Sequence, residues 1–114
     1  MGCETHEFFS KFKKDVTKMK QQTPEMLNGF ATLFGKIMTD GAITLLEKEL
    51  IAMAIGVALK CEPCIRLHTQ KCLDAGATRE QILEAASVAV MMGGGPAYTH
   101  IPIVIDTLDA IENK

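Results

Sequence analysis

The hydrophobic positions of this chain recur every three or four residues in several segments, which is the spacing of amphipathic α-helices. Residues 4–22 carry such a stripe of Phe, Val and Met. Pro24 begins a second helix, which ends at Gly41. The pattern predicts N-terminal helices within residues 1–43. The lysines between the apolar positions of residues 4–22 form one basic face, interpreted either as a solvated surface or as a docking surface for an acidic partner: Lys11, Lys13, Lys14, Lys18 and Lys20.

Residues 44–114 carry the remaining helices and the cysteine motif. Two capping boxes, each a Thr followed three residues later by Glu or Gln, begin helices at Thr44 and Thr78. The first helix ends near residue 59, and a further helix runs from residues 61–63 to Gly76.

A run of three glycines ends the helix that Thr78 begins, and Pro96 then begins a last helix that extends to about Asn113. Pro102 lies inside this helix and either kinks it or marks its true start. We therefore predict a single all-α domain over residues 1–114, built as a bundle of about six short helices.

Two of these helices are apolar almost all round, over residues 50–59 and 82–92. A helix of that kind needs neighbours on every side, which a domain of this size cannot supply easily. We expect a homo-oligomer in which other copies of the chain cover these helices.

Composition narrows the possible functions. The formal net charge is −2, and no aromatic residues interleave with a basic stripe, so we expect no nucleic-acid partner. The longest apolar run, Leu50 to Leu59, is too short to cross a bilayer. No apolar signal-peptide core begins the sequence, so we expect a cytoplasmic, reducing location. In that setting a Cys-x-x-Cys pair is more often catalytic or metal-binding than a structural disulfide.

The stretch Cys61-Glu62-Pro63-Cys64-Ile65-Arg66-Leu67-His68 carries the candidate chemistry. In a helix, Cys64 and His68 lie one turn apart on the same face. A helix N-terminus stabilises a thiolate, and a neighbouring imidazole can take the thiol proton. A thiolate that attacks a peroxide O–O bond becomes a sulfenic acid, which the second thiol converts to a disulfide. We therefore predict that Cys64 attacks, Cys61 resolves and His68 is the base.

Four further residues have two interpretations each. Glu49 precedes an apolar run and either bonds His68, directly or through water, or is a surface carboxylate at the helix start. Cys72, eight positions after Cys64, either faces the same side or is a small buried hydrophobe. His100 and Tyr98 follow the glycine run and either line the pocket or serve in capping and packing.

Glu49, then Cys61-x-x-Cys64-x-x-x-His68 and an Ala/Gly-rich helical segment, resembles the alkylhydroperoxidase-D-like branch of the carboxymuconolactone decarboxylase family. The resemblance covers about residues 45–111. It implies an all-α fold, a trimer or hexamer, and cofactor-free thiol peroxidase or disulfide reductase chemistry. By position it makes Cys64 the peroxidatic thiol, Cys61 the resolving thiol, His68 the base and Glu49 the start of a proton relay. The implied partners are a hydroperoxide and a dithiol reductant, either a lipoyl-type or a thioredoxin-like protein.

One departure from the family concerns the residue before the second cysteine. Some peroxidases of the family carry a histidine there, and this chain has Pro63, which predicts an incomplete relay and weak peroxidase activity. Decarboxylase members of the family lack the cysteine pair, so decarboxylation is not expected.

Functions of two other classes stay open. Cys61, Cys64 and His68 could supply three zinc ligands, with Glu49, Cys72 or His100 as the fourth, although structural zinc sites usually pair two short ligand clusters. Alternatively, the disulfide could switch assembly without turnover.

Overall fold

The computed structural model of the chain describes residues 3–112, and all the regular secondary structure in that range is helical. The all-α prediction is therefore confirmed. Six helices of twelve or more residues and one single-turn helix follow in the order α1 Cys3–Gln22, α2 Pro24–Ile37, α3 Leu45–Ala58, α4 Glu62–Asp74, α5 Arg79–Gly93, α6 Gly95–Tyr98 and α7 Ile101–Glu112.

The helix predicted from Pro96 onward is two helices, because the chain turns at Thr99 and His100 between α6 and α7. Pro102 is the second residue of α7, where its missing N–H costs no helical hydrogen bond. It therefore marks the true start of a helix and does not kink one. The predicted end at Asn113 lies outside the described residues.

Local sequence signals account for the helix starts. In both predicted capping boxes the threonine hydroxyl accepts from the backbone N–H three residues later, at 3.1 Å, from Glu47 in α3 and Gln81 in α5. In return the Glu47 carboxylate accepts from the backbone N–H of Thr44 at 2.8 Å, which lowers the pKa of that carboxyl. Gly76 closes α4 with a φ of +99°, in the left-handed region that favours glycine.

The core lies where α3 crosses α4 and α5, with α7 packed against α4. Its fully buried side chains come from all four of these helices and include Met53, Val57, Ile65, Ile82 and Leu108. The cysteine motif therefore begins a helix that is held on two sides by the core.

A buried arginine joins α1 and α7 to α4. Arg66 is 2% exposed, and its guanidinium donates to Asp106 at 2.8 Å, to Glu62 at 3.1 Å and to the Thr5 hydroxyl. Thr5, itself buried, also donates to Asp106 at 2.6 Å. Sequence analysis did not single out this cluster, which holds the N-terminal end of α1 against the helix of the cysteine motif.

Several helices leave apolar side chains in solvent. The outer side of α2 carries four of them in a row at helical spacing, here called the α2 stripe: Met26, Phe30, Leu33 and Ile37. Helix α3 exposes Ile51, Ile55 and Leu59, and α5 exposes Val88, Met91 and Met92. Exposed apolar area of this extent is what an oligomer would cover. The trimer or hexamer stays a prediction.

Within residues 3–112, no helix is both long enough and apolar enough to cross a membrane.

Candidate functional site

Cys61 and Cys64 lie at the N-terminal end of α4, where the chain leaves α3. Cys61 is the N-cap residue of α4, and its sulfur accepts from the backbone N–H of Cys64 at 3.3 Å. The two cysteines form a disulfide, with their Cα atoms 5.3 Å apart, and both are half-buried. A sulfur at a helix N-terminus lies where backbone N–H groups and the helix dipole stabilise negative charge. The fold thus favours the thiolate form after reduction.

His68 and Glu49 form a hydrogen-bonded pair across α4 and α3. The Nδ1 atom of His68 lies 2.7 Å from Oε1 of Glu49, and Glu49 is 4% exposed. Of the two interpretations of Glu49, the structure shows the buried partner of His68 and not a surface carboxylate. Because Glu49 occupies Nδ1, Nε2 is the nitrogen left for a reacting group. His68 lies one helical turn after Cys64, on the same face of α4.

Two aromatic contacts adjoin this pair and were missed by sequence analysis. The Phe34 ring of α2 stacks on the His68 imidazole, with ring centroids 6.0 Å apart and planes 24° apart. The Nζ atom of Lys71 lies 5.3 Å from the centroid of the same Phe34 ring. Phe34 and Lys71 also line a cavity of about 280 Å³ that reaches Glu49. In the sequence Phe34 was one of several apolar residues of a helical stripe, and nothing distinguished it from its neighbours.

Gly56 of α3 lies directly against Cys64. A Cβ atom at Gly56 would be 3.1 Å from the Cβ of Cys64 and 3.3 Å from the backbone nitrogen of Ile65. The absence of a side chain at Gly56 therefore allows the close approach of α3 and α4 at Cys64. A glycine inside an apolar helix is the signal in the sequence that could have indicated this contact.

Cys72 is a buried thiol within α4. It has no solvent exposure, and burial, together with the Glu49 carboxylate, raises the pKa of its thiol to about 12. At neutral pH Cys72 is therefore protonated and unreactive, as expected for a small buried hydrophobe. Its interaction with Glu49 also places it on the side of α4 that faces α3.

The described contacts of His100 and Tyr98 do not involve the hydrogen-bonded pair of His68 and Glu49. The Nδ1 atom of His100 lies 2.8 Å from the carbonyl oxygen of Pro96, a local contact at the end of α6. Tyr98 is 66% exposed and lines a surface cavity with Ile101 and Pro102. The described contacts thus give His100 a capping role. A part for either residue in the pocket of the cysteines stays a prediction.

The predicted zinc ligands do not form a cluster. In the part of the chain that the structure describes, no three or more His, Cys, Asp or Glu side chains are grouped so that they could hold a metal ion. In the disulfide form the sulfurs of Cys61 and Cys64 are bonded to each other, and so neither is a thiolate ligand.

Comparison with known proteins defines the family. Residues 24–103, well over half of the chain, match the family model of the carboxymuconolactone decarboxylase family. The chain belongs to the carboxymuconolactone decarboxylase family. The family resemblance seen in the sequence is thereby confirmed. The match begins at the first residue of α2 and includes the whole cysteine motif.

Two relatives are similar to this chain over most of its length. An uncharacterized protein of Cupriavidus necator is 33% identical over 91 residues, which cover 80% of each chain. A protein of Paracoccus denitrificans, uncharacterized protein 4 in the cox locus, is 38% identical over 85 residues, covering 75% of this chain and 77% of the relative.

Solved structures of the carboxymuconolactone decarboxylase family share the fold. The apo crystal structure of a family protein from Legionella pneumophila is 35% identical, with a TM-score of 0.84 and 96% of each chain covered. A family protein from Thermotoga maritima has a TM-score of 0.81 over 92% of this chain and 90% of its own. At 24% identity, that second likeness shows the fold alone.

Proposed function

We propose that this carboxymuconolactone decarboxylase family protein is a thiol-dependent oxidoreductase that reduces hydroperoxides with its Cys61–Cys64 pair. The observation that carries the proposal is the arrangement on α4, where the pair begins the helix and His68 follows one turn later, bonded to a buried carboxylate. A role in the antioxidative response has been suggested for the Thermotoga maritima protein of the same fold. The proposed chemistry would give this chain a comparable role.

The first half-reaction oxidises the cysteine pair. Cys64 loses its thiol proton to His68, and the thiolate attacks the distal oxygen of the hydroperoxide. The S–O bond forms as the O–O bond breaks, and the departing alkoxide takes the proton from His68 to leave as the alcohol. Cys64 is then a sulfenic acid. The Cys61 thiolate attacks its sulfur, a disulfide forms, and the sulfenic oxygen leaves as water after protonation. The pair has given two electrons to the peroxide.

The second half-reaction restores the dithiol. A dithiol reductant attacks the Cys61–Cys64 disulfide, forms a mixed disulfide, and then resolves it by closing its own disulfide. Two electrons pass from the reductant to this protein, and the two thiols of this protein take up two protons. A lipoyl-type or thioredoxin-like protein fits this step because each carries two thiols in reach of each other. We assign the reaction to the cytoplasm, where such reductants keep thiols reduced.

Cys64 is assigned the attacking role because of the proton path. The Nε2 atom of His68 is free of the Glu49 bond, and His68 lies one helical turn from Cys64 but about two turns from Cys61. Cys61 as the N-cap is well placed to resolve, since its sulfur lies beside the first turn that carries Cys64. Glu49, 2.7 Å from Nδ1, fixes the tautomer and the orientation of His68.

The test measures disulfide formation and turnover separately. Reduced protein receives one equivalent of an organic hydroperoxide, and intact and peptide mass spectrometry follow the Cys61–Cys64 disulfide with time. We expect the unaltered protein to form the disulfide at a measurable rate and Cys64→Ser to consume no hydroperoxide. Exposed Cys3, changed to Ser, is the matched control and should leave the rate unaltered.

Glu49→Gln tests the relay. Loss of a charge-assisted hydrogen bond of this kind is worth about 1.5–3 kcal/mol, so we expect a roughly 10- to 100-fold slower reaction. Full peroxide consumption by Cys64→Ser would reject the assignment. If the disulfide forms but no dithiol reductant supports continued peroxide consumption, the disulfide would instead act as a switch that changes the oligomeric state.

A further inference from the structure

Helix α2 reaches the candidate site through a single side chain. Of its 14 residues, only Leu27 and Phe34 are partly buried, and the other twelve are exposed. Leu27 faces α1, in an apolar groove between the two helices. Phe34 stacks on the His68 imidazole of α4. Phe34 is thus the residue by which α2 contacts the proposed base.

We propose that Phe34 is a positioning residue for His68, an inference that rests on the thiol redox function proposed above. An imidazole ring is fixed in space when one of its nitrogens and one of its faces are held. Glu49 holds Nδ1 at 2.7 Å, and Phe34 covers a ring face with planes 24° apart. Glu49 thereby leaves Nε2 as the ring nitrogen available to a reacting group.

The aromatic ring of Phe34 also has an electrostatic effect. The face of a phenyl ring is negative and attracts cations. His68 becomes a cation when it takes the thiol proton of Cys64, so the stack favours the ion pair between imidazolium and thiolate. The Nζ atom of Lys71, 5.3 Å from the ring centroid, shows that the same ring already has a cationic neighbour.

The charged groups around His68 include carboxylates, which favour a positive charge on the imidazole, and a lysine, which opposes it. Glu49, from α3, favours the imidazolium by direct contact. Lys71 and Asp74, from α4, line the cavity beside Glu49 and carry opposite charges. From α2, the side chain that faces His68 is Phe34, which has no charge and does not titrate. A change at Phe34 therefore alters the stack without adding or removing a charge.

These contacts define the variants to compare. Phe34→Leu keeps an apolar side chain but removes the ring face, and Phe34→Tyr keeps the face. Phe30 is the matched control, because it lies one turn earlier on α2, is 64% exposed and packs tilted against Phe34, with centroids 6.0 Å apart and planes at 51°. Phe30→Leu removes an aromatic ring from the same helix without touching His68.

The experiment follows the rate of Cys61–Cys64 disulfide formation with one equivalent of hydroperoxide between pH 5 and pH 9. A cation–π contact of about 0.5–2 kcal/mol corresponds to roughly 2- to 30-fold, so at neutral pH we expect Phe34→Leu to be slower by that factor. We also expect its pH–rate profile to move to higher pH. Phe34→Tyr should stay within about twofold of the unaltered protein, as should Phe30→Leu.

A Phe34→Leu protein with unaltered circular dichroism and an unaltered pH–rate profile would overturn the proposal. So would a Phe34→Tyr protein as slow as Phe34→Leu. If Phe34→Leu does not fold, Phe34→Met takes its place, since it too fills volume without a ring.

NMR spectroscopy of the His68 imidazole keeps this test independent of activity. In the unaltered protein the carbon-bound ring protons of His68 should be shifted upfield by the Phe34 ring current, and this shift should persist in Phe34→Tyr and vanish in Phe34→Leu. If the unaltered protein forms no disulfide with peroxide but shows this pattern, the proposed function fails and the positioning role stands. If peroxide is consumed and the upfield shift is absent, the positioning role fails alone.

Discussion

The close approach of α3 and α4 at Gly56 gives a prediction whose magnitude follows from the structure. In Gly56→Ala, the new Cβ would lie 3.1 Å from the Cβ of Cys64 and 3.3 Å from the backbone nitrogen of Ile65. Ordinary van der Waals contact between such atoms needs about 3.5–4.0 Å, so α4 must shift by a few tenths of an ångström at Cys64.

Two opposing terms set the change in the free energy of unfolding for Gly56→Ala. Replacing Gly by Ala in a helix interior stabilises by about 1 kcal/mol. Overpacking a close-packed contact costs about 1–3 kcal/mol. The net expectation is a loss of about 0–2 kcal/mol. Gly35→Ala is the matched control, because no atom lies within 4 Å of its added Cβ, so it should gain about 1 kcal/mol.

Two assays test Gly56→Ala, namely urea unfolding of the oxidised protein and the rate of disulfide formation by the reduced protein. A misplacement of 1 Å in a reacting group costs about 10²-fold, so a shift of a few tenths of an ångström at Cys64 predicts a rate about fourfold lower. Gly35→Ala should leave the rate unaltered. If Gly56→Ala gained stability as Gly35→Ala does and kept the full rate, the reasoning about this contact would be refuted.

Three further predictions concern buried polar groups. Between about pH 9 and pH 12 the unfolded chain loses the Cys72 proton while the folded chain keeps it, so the free energy of unfolding falls as pH rises. Urea unfolding at pH 8 and at pH 10.5 should therefore show a smaller fall for Cys72→Ala than for the control Cys3→Ala, which changes an exposed cysteine. Thr69→Val should leave the free energy of unfolding unaltered or raise it by about 1 kcal/mol, because the buried Thr69 hydroxyl has no hydrogen-bond partner. A lower melting temperature for Thr69→Val in thermal unfolding would contradict this. Arg66→Met should lower the free energy of unfolding by about 1.5–3 kcal/mol, because the partly buried Asp106 carboxylate and the buried Thr5 hydroxyl lose their charged donor. Lys11→Met, which breaks an exposed ion pair, should change it by under about 1 kcal/mol, and equal effects in urea unfolding would contradict the difference.

The sequence predicted those features of the fold that depend on neighbouring residues. Capping boxes require only residues three positions apart, so the starts of α3 and α5 could be predicted from Thr44 and Thr78. The contact between Glu49 and His68 was one of two open interpretations, since a carboxylate beside an apolar run needs a partner only if it is buried. Its 4% exposure answers that question, and no local pattern could have done so.

Contacts between distant parts of the chain could not be predicted in the same way. Phe34 is one of several apolar residues of α2, and only the folded structure shows which one stacks on His68. Arg66 looked like an ordinary charged residue of an amphipathic helix. Its burial depends on Thr5 and Asp106, which are 101 positions apart and approach only in the folded chain.

The Arg66 cluster has a consequence for how the protein matures during synthesis. Helix α4 emerges from the ribosome before α7, and so Arg66 lacks its Asp106 partner until α7 has been translated. Contacts over such separations form late, because the loop between them must close first. During translation the nascent chain therefore has Cys61 and Cys64 on a helix that is not yet anchored. The end of α4 that carries Cys61 and Cys64 would therefore take its final form only after α7 completes the cluster.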